Sequence, residues 1–236
     1  MTDVPAAGVV QDTPAVAAPS VRVAPRQGVL IQATLMTLLA GFVDAVGYGA
    51  LGHLYLSFMS GNSTQLGMAV ARLEPPVVGA AGAVVAAFVA GAFLGALIMT
   101  AERLPVVFAA ELGCFAVAWA AVFFLPAMPA LLPVALAMGM QNAAHVVVAR
   151  TATGKSFVTG ALYGVGDALA RACVGRARVA EARANALSWL AFVAGVVAGA
   201  VAVGAVGVPS SLVAGASMLL FLLAFSLVWH GPAHIT

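Results

Sequence analysis

Apolar residues run along this chain in blocks of about twenty, interrupted by short polar or proline-bearing breaks. A helix needs about 20 such residues to cross roughly 30 Å of hydrocarbon. Six stretches meet that length: 28–50, 77–100, 105–125, 131–149, 186–207 and 209–230. Pro75-Pro76, Pro105, the "PAMP" run at 126–129 and Pro209 separate or open several of them, as proline does at helix starts. Trp189 and Trp229 fall near span ends, where an interfacial aromatic belt would place them.

Two segments break the pattern. Residues 54–71 and 156–171 are mostly apolar but carry glycines and polar groups in their middle. As straight helices they would measure about 27 and 24 Å, short of a full crossing. They read as short spans or re-entrant elements. The first contains the most polar uncharged run of the chain, Ser60-Gly61-Asn62-Ser63-Thr64-Gln65.

These segments are copies of one another. "SFMSGNSTQLGMAVAR" (57–72) and "SFVTGALYGVGDALAR" (156–171) agree at seven of sixteen positions. "GFVDA" (41–45) precedes the first as "GMQNA" (139–143) precedes the second, placing Asp44 opposite Asn142. "FVAGAFLGA" (88–96) and "FVAGVVAGA" (192–200) follow in the same order. With three spans in each half, the second half would enter the membrane from the opposite side. That is an inverted-topology repeat, which in transporters and channels sets the solute site where broken helices meet near the midplane. "MSGN" and "VTG" then read as helix interruptions lining a wet cavity, since irregular backbone survives at that depth only there or inside protein. The expected architecture is an all-α integral membrane bundle with six spans and two short re-entrant or broken helical segments. Its repeats cover about 28–125 and 131–230 of a single membrane domain.

Composition supports a membrane environment. The chain is 63% hydrophobic and 8% charged, with mean hydropathy +1.09, where soluble domains carry about 25% charged residues. A net charge of +2 and the lack of basic runs interleaved with aromatics argue against a nucleic-acid partner. Cys114 and Cys173 are far apart and read as free thiols. Residues 1–27, with Pro5, Pro14, Pro19 and Pro25, read as a disordered cytoplasmic tail and not as a signal peptide. Lys and Arg accumulate on the cytoplasmic side. Six spans with both termini inside put nine of them in the cytoplasm and only Arg72 outside, against seven to three for eight spans.

"GFVDAVGY" followed by "MSGN", then "GMQNA" and "TG", resembles the YoaK-like family of bacterial multi-span membrane proteins. The resemblance covers about residues 30–230. It implies the fold and a cell-membrane location and little about activity, the family being of unknown function. At the place of Asn62 the second motif has Ala161.

Asp44 is the sharpest chemical candidate. An Asp at a helix centre costs about 2.5–3.5 kcal/mol to insert, so it should face a partner or water. It reads equally as a proton or cation site and as a structural hydrogen-bond partner of Asn142. Asn62, Thr64, Gln65, Gln141 and Asn142 suit a small polar solute or helix–helix hydrogen bonding. Ser60, Gly61, Thr159 and Gly160 join them as motif positions, and His145, one turn after Gln141, as a weaker proton-relay candidate. Glu111 reads as a residue near the membrane edge that snorkels or caps. Asp167 has the helical spacing to pair with Arg171. Gly91/Gly95 and Gly195/Gly199 are GxxxG pairs that let helices approach closely.

"ATGKS" (152–156) lacks the first glycine and the preceding strand of a phosphate loop. No zinc-binding H-E-x-x-H and no nucleophile–base pair are found, so neither an enzyme nor a cofactor or metal is expected. The expected function is a secondary carrier of an unknown small solute, proton-coupled through Asp44. A passive channel and a membrane enzyme or accessory protein are the alternatives. The expected partners are the lipid bilayer and the solute, with homo-oligomerisation left open.

Overall fold

The computed structural model describes residues 27–101, 103–152, 158–175 and 179–229, and of Gln27, 145–152 and Trp229 the backbone only. The tail expected over 1–27 thus lies almost wholly outside the described residues. All regular structure among them is helical: α1 (Gln27–Ala50), α2 (Met59–Ala71), α3 (Pro75–Met99), α4 (Leu104–Ala121), α5 (Ala127–Ala152), α6 (Val158–Cys173) and α7 (Val179–Trp229).

Proline and glycine set several boundaries. Pro75-Pro76 and Pro105 occupy the first turns of α3 and α4, where a missing N–H costs no helical hydrogen bond. α7 is broken at Gly207, whose φ of 77° and ψ of 176° lie outside the helical region. That positive φ is open to glycine and strained for other residues. Among the described residues four helices are long and apolar enough to cross a membrane: Gly28–Ala50, Pro75–Met99, Leu104–Ala121 and Val179–Val228. The last, 50 residues long, would reach roughly 75 Å if straight, more than two bilayer cores.

Two corrections concern the paired motifs. "MSGN" is the first turn of α2 and "VTG" the first turn of α6, so neither interrupts a helix. The irregular backbone lies just before α2, at 51–58, with Gly52 and His53 at positive φ.

The surface is apolar where a soluble protein's would be polar. Val89, Phe93 and Leu97 on α3 are 60%, 63% and 52% exposed, a one-sided stripe suited to lipid. Conversely Gln32, Asp44, Asn62, Glu111 and Gln141 are buried.

Glycine decides how the helices meet. α1 packs chiefly on α7, and α5 on α3. A Cβ at Gly41 would run into the Phe192 carbonyl, and one at Gly195 or Gly199 into the carbonyls of Leu38 and Phe42. The other pair uses the matching residues: Gly139 lies against the Phe88 carbonyl, Gly91 against that of Leu136, and a Cβ at Gly95 would stand 2.7 Å from the Met140 Cα. Backbone-to-backbone contact of this kind replaces the hydrophobic drive that lipid removes. The GxxxG expectation thus holds, and each "FVAG" glycine meets the "GFVDA" or "GMQNA" helix of the other half.

Candidate functional site

A cavity of about 520 Å³ lies between the two halves. Its wall is drawn from α1, the starts of α2 and α6, α5 and the first part of α7, with Phe88 from α3. Of the candidate residues, Asp44, Ser60, Gln141, Asn142 and Thr159 line it. Gly61, Asn62, Thr64, Gln65 and Gly160 do not. The side chain of His145 lies outside the described residues. Asn185 and Ser188 on α7 line the wall as well and were not read from the sequence, because they fall outside the repeated motifs.

Asp44 is held by its own chain. Its Oδ1 accepts from the backbone N–H of Leu56 at 2.9 Å, Ser57 at 2.6 Å and Phe58 at 3.2 Å. Its Oδ2 accepts from the Ser57 hydroxyl at 2.8 Å. Three consecutive amides around one oxygen form a nest that suits a carboxylate, and they are donors the irregular segment before α2 would otherwise leave unpaired. Asn142 is not Asp44's partner, contrary to one of the two expectations. Both line the same cavity.

Asn62 closes the same loop from the other end. Its Oδ1 accepts from the Tyr55 N–H at 2.8 Å and its Nδ2 donates to the Tyr55 carbonyl at 2.7 Å. One amide side chain thereby satisfies both polar groups of one residue. Gly61 leaves room for the rings of Tyr55 and Phe58, which lie within 3 Å of where a Cβ would be. Ser63 and Thr64 turn their hydroxyls back to the carbonyls of Met59 and Ser60. Much of the polar run is therefore spent on shaping the loop and helix start.

Gln141 is the exception. It is 4% exposed, and its Nε2 donates across to the Met36 carbonyl on α1 at 2.8 Å. Its Oε1 is buried and has no hydrogen-bond partner among the described residues. Thr34 donates its hydroxyl proton to its own helix, at 2.8 Å, and Ser57 to Asp44, so both present lone pairs to the cavity. Among the described residues Asp44 is the only formally charged one on the wall. Apart from the few uncharged polar side chains the lining is apolar, as in most ligand pockets.

Away from the cavity, Arg171 pairs with Asp167 at 3.0 Å, as the spacing predicts, and with Glu181 of α7 at 2.9 Å. All three are partly exposed, so the network orients α6 on α7 more than it stabilises. Glu111 neither snorkels nor caps. It is fully buried, and both carboxyl oxygens lack partners among the described residues. Cys114 and Cys173 are free thiols, as expected. No group of three or more potential metal ligands occurs among the described residues.

An apolar exterior around a helical bundle with a polar-lined centre defines a multi-helix integral membrane protein. The chain belongs to a family of unknown function, DUF1275, which it matches over residues 32–225. No curated protein and no solved structure matches it.

Proposed function

We propose that this protein is a multi-pass transporter of the cell membrane and that the central cavity is its solute site. The observation that carries the reading is a ligand-sized cavity walled by both halves, with Asp44, Gln141, Asn142 and Asn185 among its lining residues. Among the described residues the wall bears a carboxylate and no basic side chain. The solute is therefore a small neutral or cationic molecule with N–H or O–H groups and an apolar part.

The reciprocal glycine contacts support an inverted repeat, with α1 to α4 answering α5, α6 and the two halves of α7. Six crossings follow, with α2 and α6, about 20 and 24 Å long, entering without crossing and both termini cytoplasmic. The family match is consistent with the YoaK-like resemblance. Asp44, as a cavity carboxylate, is the candidate coupling group.

The test uses a chain in which Cys114 and Cys173 are replaced by Ser and single cysteines are placed at Thr159 or Ser188. A small hydrophilic thiol reagent should modify both from one face of the membrane and spare a cysteine at Val84, which is fully buried. Cysteines at Arg72 and Arg103 should react from opposite faces, the first from outside. A cavity unreactive from either face would sink the solute-site reading, and reversal of the 72/103 pattern would sink the six crossings. In proteoliposomes, concentrative uptake that collapses with the proton gradient marks a carrier. Dissipative flux marks a channel, and turnover without translocation an enzyme.

A further inference from the structure

Glu111 plays no part in the cavity, and its surroundings are unusual for a carboxyl group. It sits two turns into α4 on the face that carries Phe108 and Phe115, and Phe115 packs against Gly215 in the second half of α7. It is 0% exposed, and neither oxygen has a hydrogen-bond partner among the described residues.

The described residues of the helices around it supply no counter-charge. α4 packs on α5, α7 and, more lightly, α3. α3 has no charged residue, and up to Ala144 α5 offers only Gln141 and Asn142 as polar side chains. His145 and Arg150 follow in the part of α5 whose side chains are not described. The second half of α7 carries only serines, and the charges of α7, Glu181 and Arg183, lie at its far start. On α4 itself the neighbouring titratable group is the Cys114 thiol, half-buried one turn on, and Arg103 stands exposed at the N-cap.

An ionised carboxylate without partner or water is among the most costly groups to bury, whereas the neutral acid is tolerated and can donate to a carbonyl. α5, which packs on α4, carries one such acceptor. Pro133 has no N–H, so the Pro129 carbonyl lacks its helical donor. Both prolines line an apolar groove between α4 and α5 with Ala110 and Cys114 of α4. A bound metal ion is a poor alternative, since the surroundings offer no cluster of oxygen ligands.

We propose that Glu111 is a second, membrane-buried proton site, separate from the cavity, whose carboxyl is protonated at neutral pH and exchanges its proton with water. Exchange requires opening of the seam between α4 and α7, and the break at Gly207 gives the second half of α7 a place to pivot. The inference stands whether or not the cavity carries a solute.

Infrared difference spectra of the reconstituted wild type against Glu111→Gln, in H2O and in D2O, test it. At neutral pH the wild type should show a protonated-acid C=O band that is lost in Glu111→Gln and shifts in D2O. Gln is close to isosteric and neutral, so the variant should keep the wild-type helix content. A spectrum without such a band means an ionised or hydrated group, and a band indifferent to D2O means a locked proton. Either result overturns the proposal. As a second readout, a lipid-soluble carbodiimide adds a protonated carboxyl across its C=N bond, and an O-to-N acyl shift leaves a stable N-acylurea. Mass spectrometry should find that adduct on Glu111 and not on Asp44. Equal labelling by a water-soluble carbodiimide would mean an exposed carboxylate and would refute burial.

Discussion

Replacing Asp44 with Asn separates its role as a loop anchor from any role in the cavity. The carboxylate collects three backbone amides and one hydroxyl from Leu56, Ser57 and Phe58. Asn keeps an oxygen for the three amides, and the Ser57 hydroxyl can rotate to accept from the new NH2. The change therefore turns charge-assisted bonds into neutral ones, from about 1.5–3 to about 0.5–1.5 kcal/mol each. Three such losses of about 1 kcal/mol, not fully additive, come to about 2–3 kcal/mol of local stability. At tenfold per 1.4 kcal/mol, the amides of 56–58 should exchange with deuterium roughly 30- to 140-fold faster. Asp44→Ala, which leaves all three amides without an acceptor, should go further and lower the thermal midpoint in detergent. Hydrogen exchange by mass spectrometry reads both, with peptides from α3 and α5 as the unaffected reference. Unchanged exchange at 56–58 in Asp44→Asn would refute the anchor, and uniform acceleration over the whole chain would mean the loss is global.

The Asn62 clamp predicts an unusual equivalence. Asn62→Asp should be at least as damaging as Asn62→Ala, by about 2–4 kcal/mol, because a carboxylate can accept from the Tyr55 N–H but repels its carbonyl; a thermal melt in which Asn62→Asp matches wild type would contradict the geometry. Among glycines, Gly41→Ala, Gly91→Ala, Gly139→Ala and Gly195→Ala should each cost about 1–3 kcal/mol through backbone overlap. Gly82→Ala, where a Cβ would meet nothing within 4 Å, should be neutral or stabilising by up to about 1 kcal/mol. Equal melting temperatures across the five variants would refute the close-approach argument.

The helices were legible in the sequence because hydropathy and proline act locally, and the α3 and α4 starts fall where the prolines put them. The glycine contacts were legible for a related reason: GxxxG spacing puts two small residues on one face whatever the partner. The polar run at 60–65 was misread because its partners do not share its pattern. Asn62 reaches back to Tyr55 in an irregular loop, and Asp44 reaches forward twelve to fourteen residues into the same loop. Hydropathy cannot see such a loop, and a polar cluster in an apolar chain looks like a site whether it binds a solute or its own backbone. Ala161, in place of Asn62 in the second copy, was the warning that the two motifs do different work: it lines the cavity, while Asn62 does not. Glu111 was misjudged by its distance from the span end. The face it shares with Leu104, Phe108, Phe115 and Ala118 at helical spacing would have placed it inside.

The packing partners of α1 constrain how this protein is made. The helices on which α1 rests are α5 and α7; among the described residues it has no contact of comparable extent with α2, α3 or α4. During synthesis the first helix must therefore wait in the membrane without a packing partner until α5 begins, 77 residues after its end, and for its main partner α7, 129 residues after it. It waits with an aspartate in its last two turns. The nest at 56–58 resolves this, because those amides follow within fourteen residues and can enclose the carboxylate before any other helix exists. Asp44 and its loop thus form a self-contained insertion unit. A nascent chain halted after α2 should already be membrane-stable, whereas the first half released alone should remain unassembled until the second half is supplied in trans.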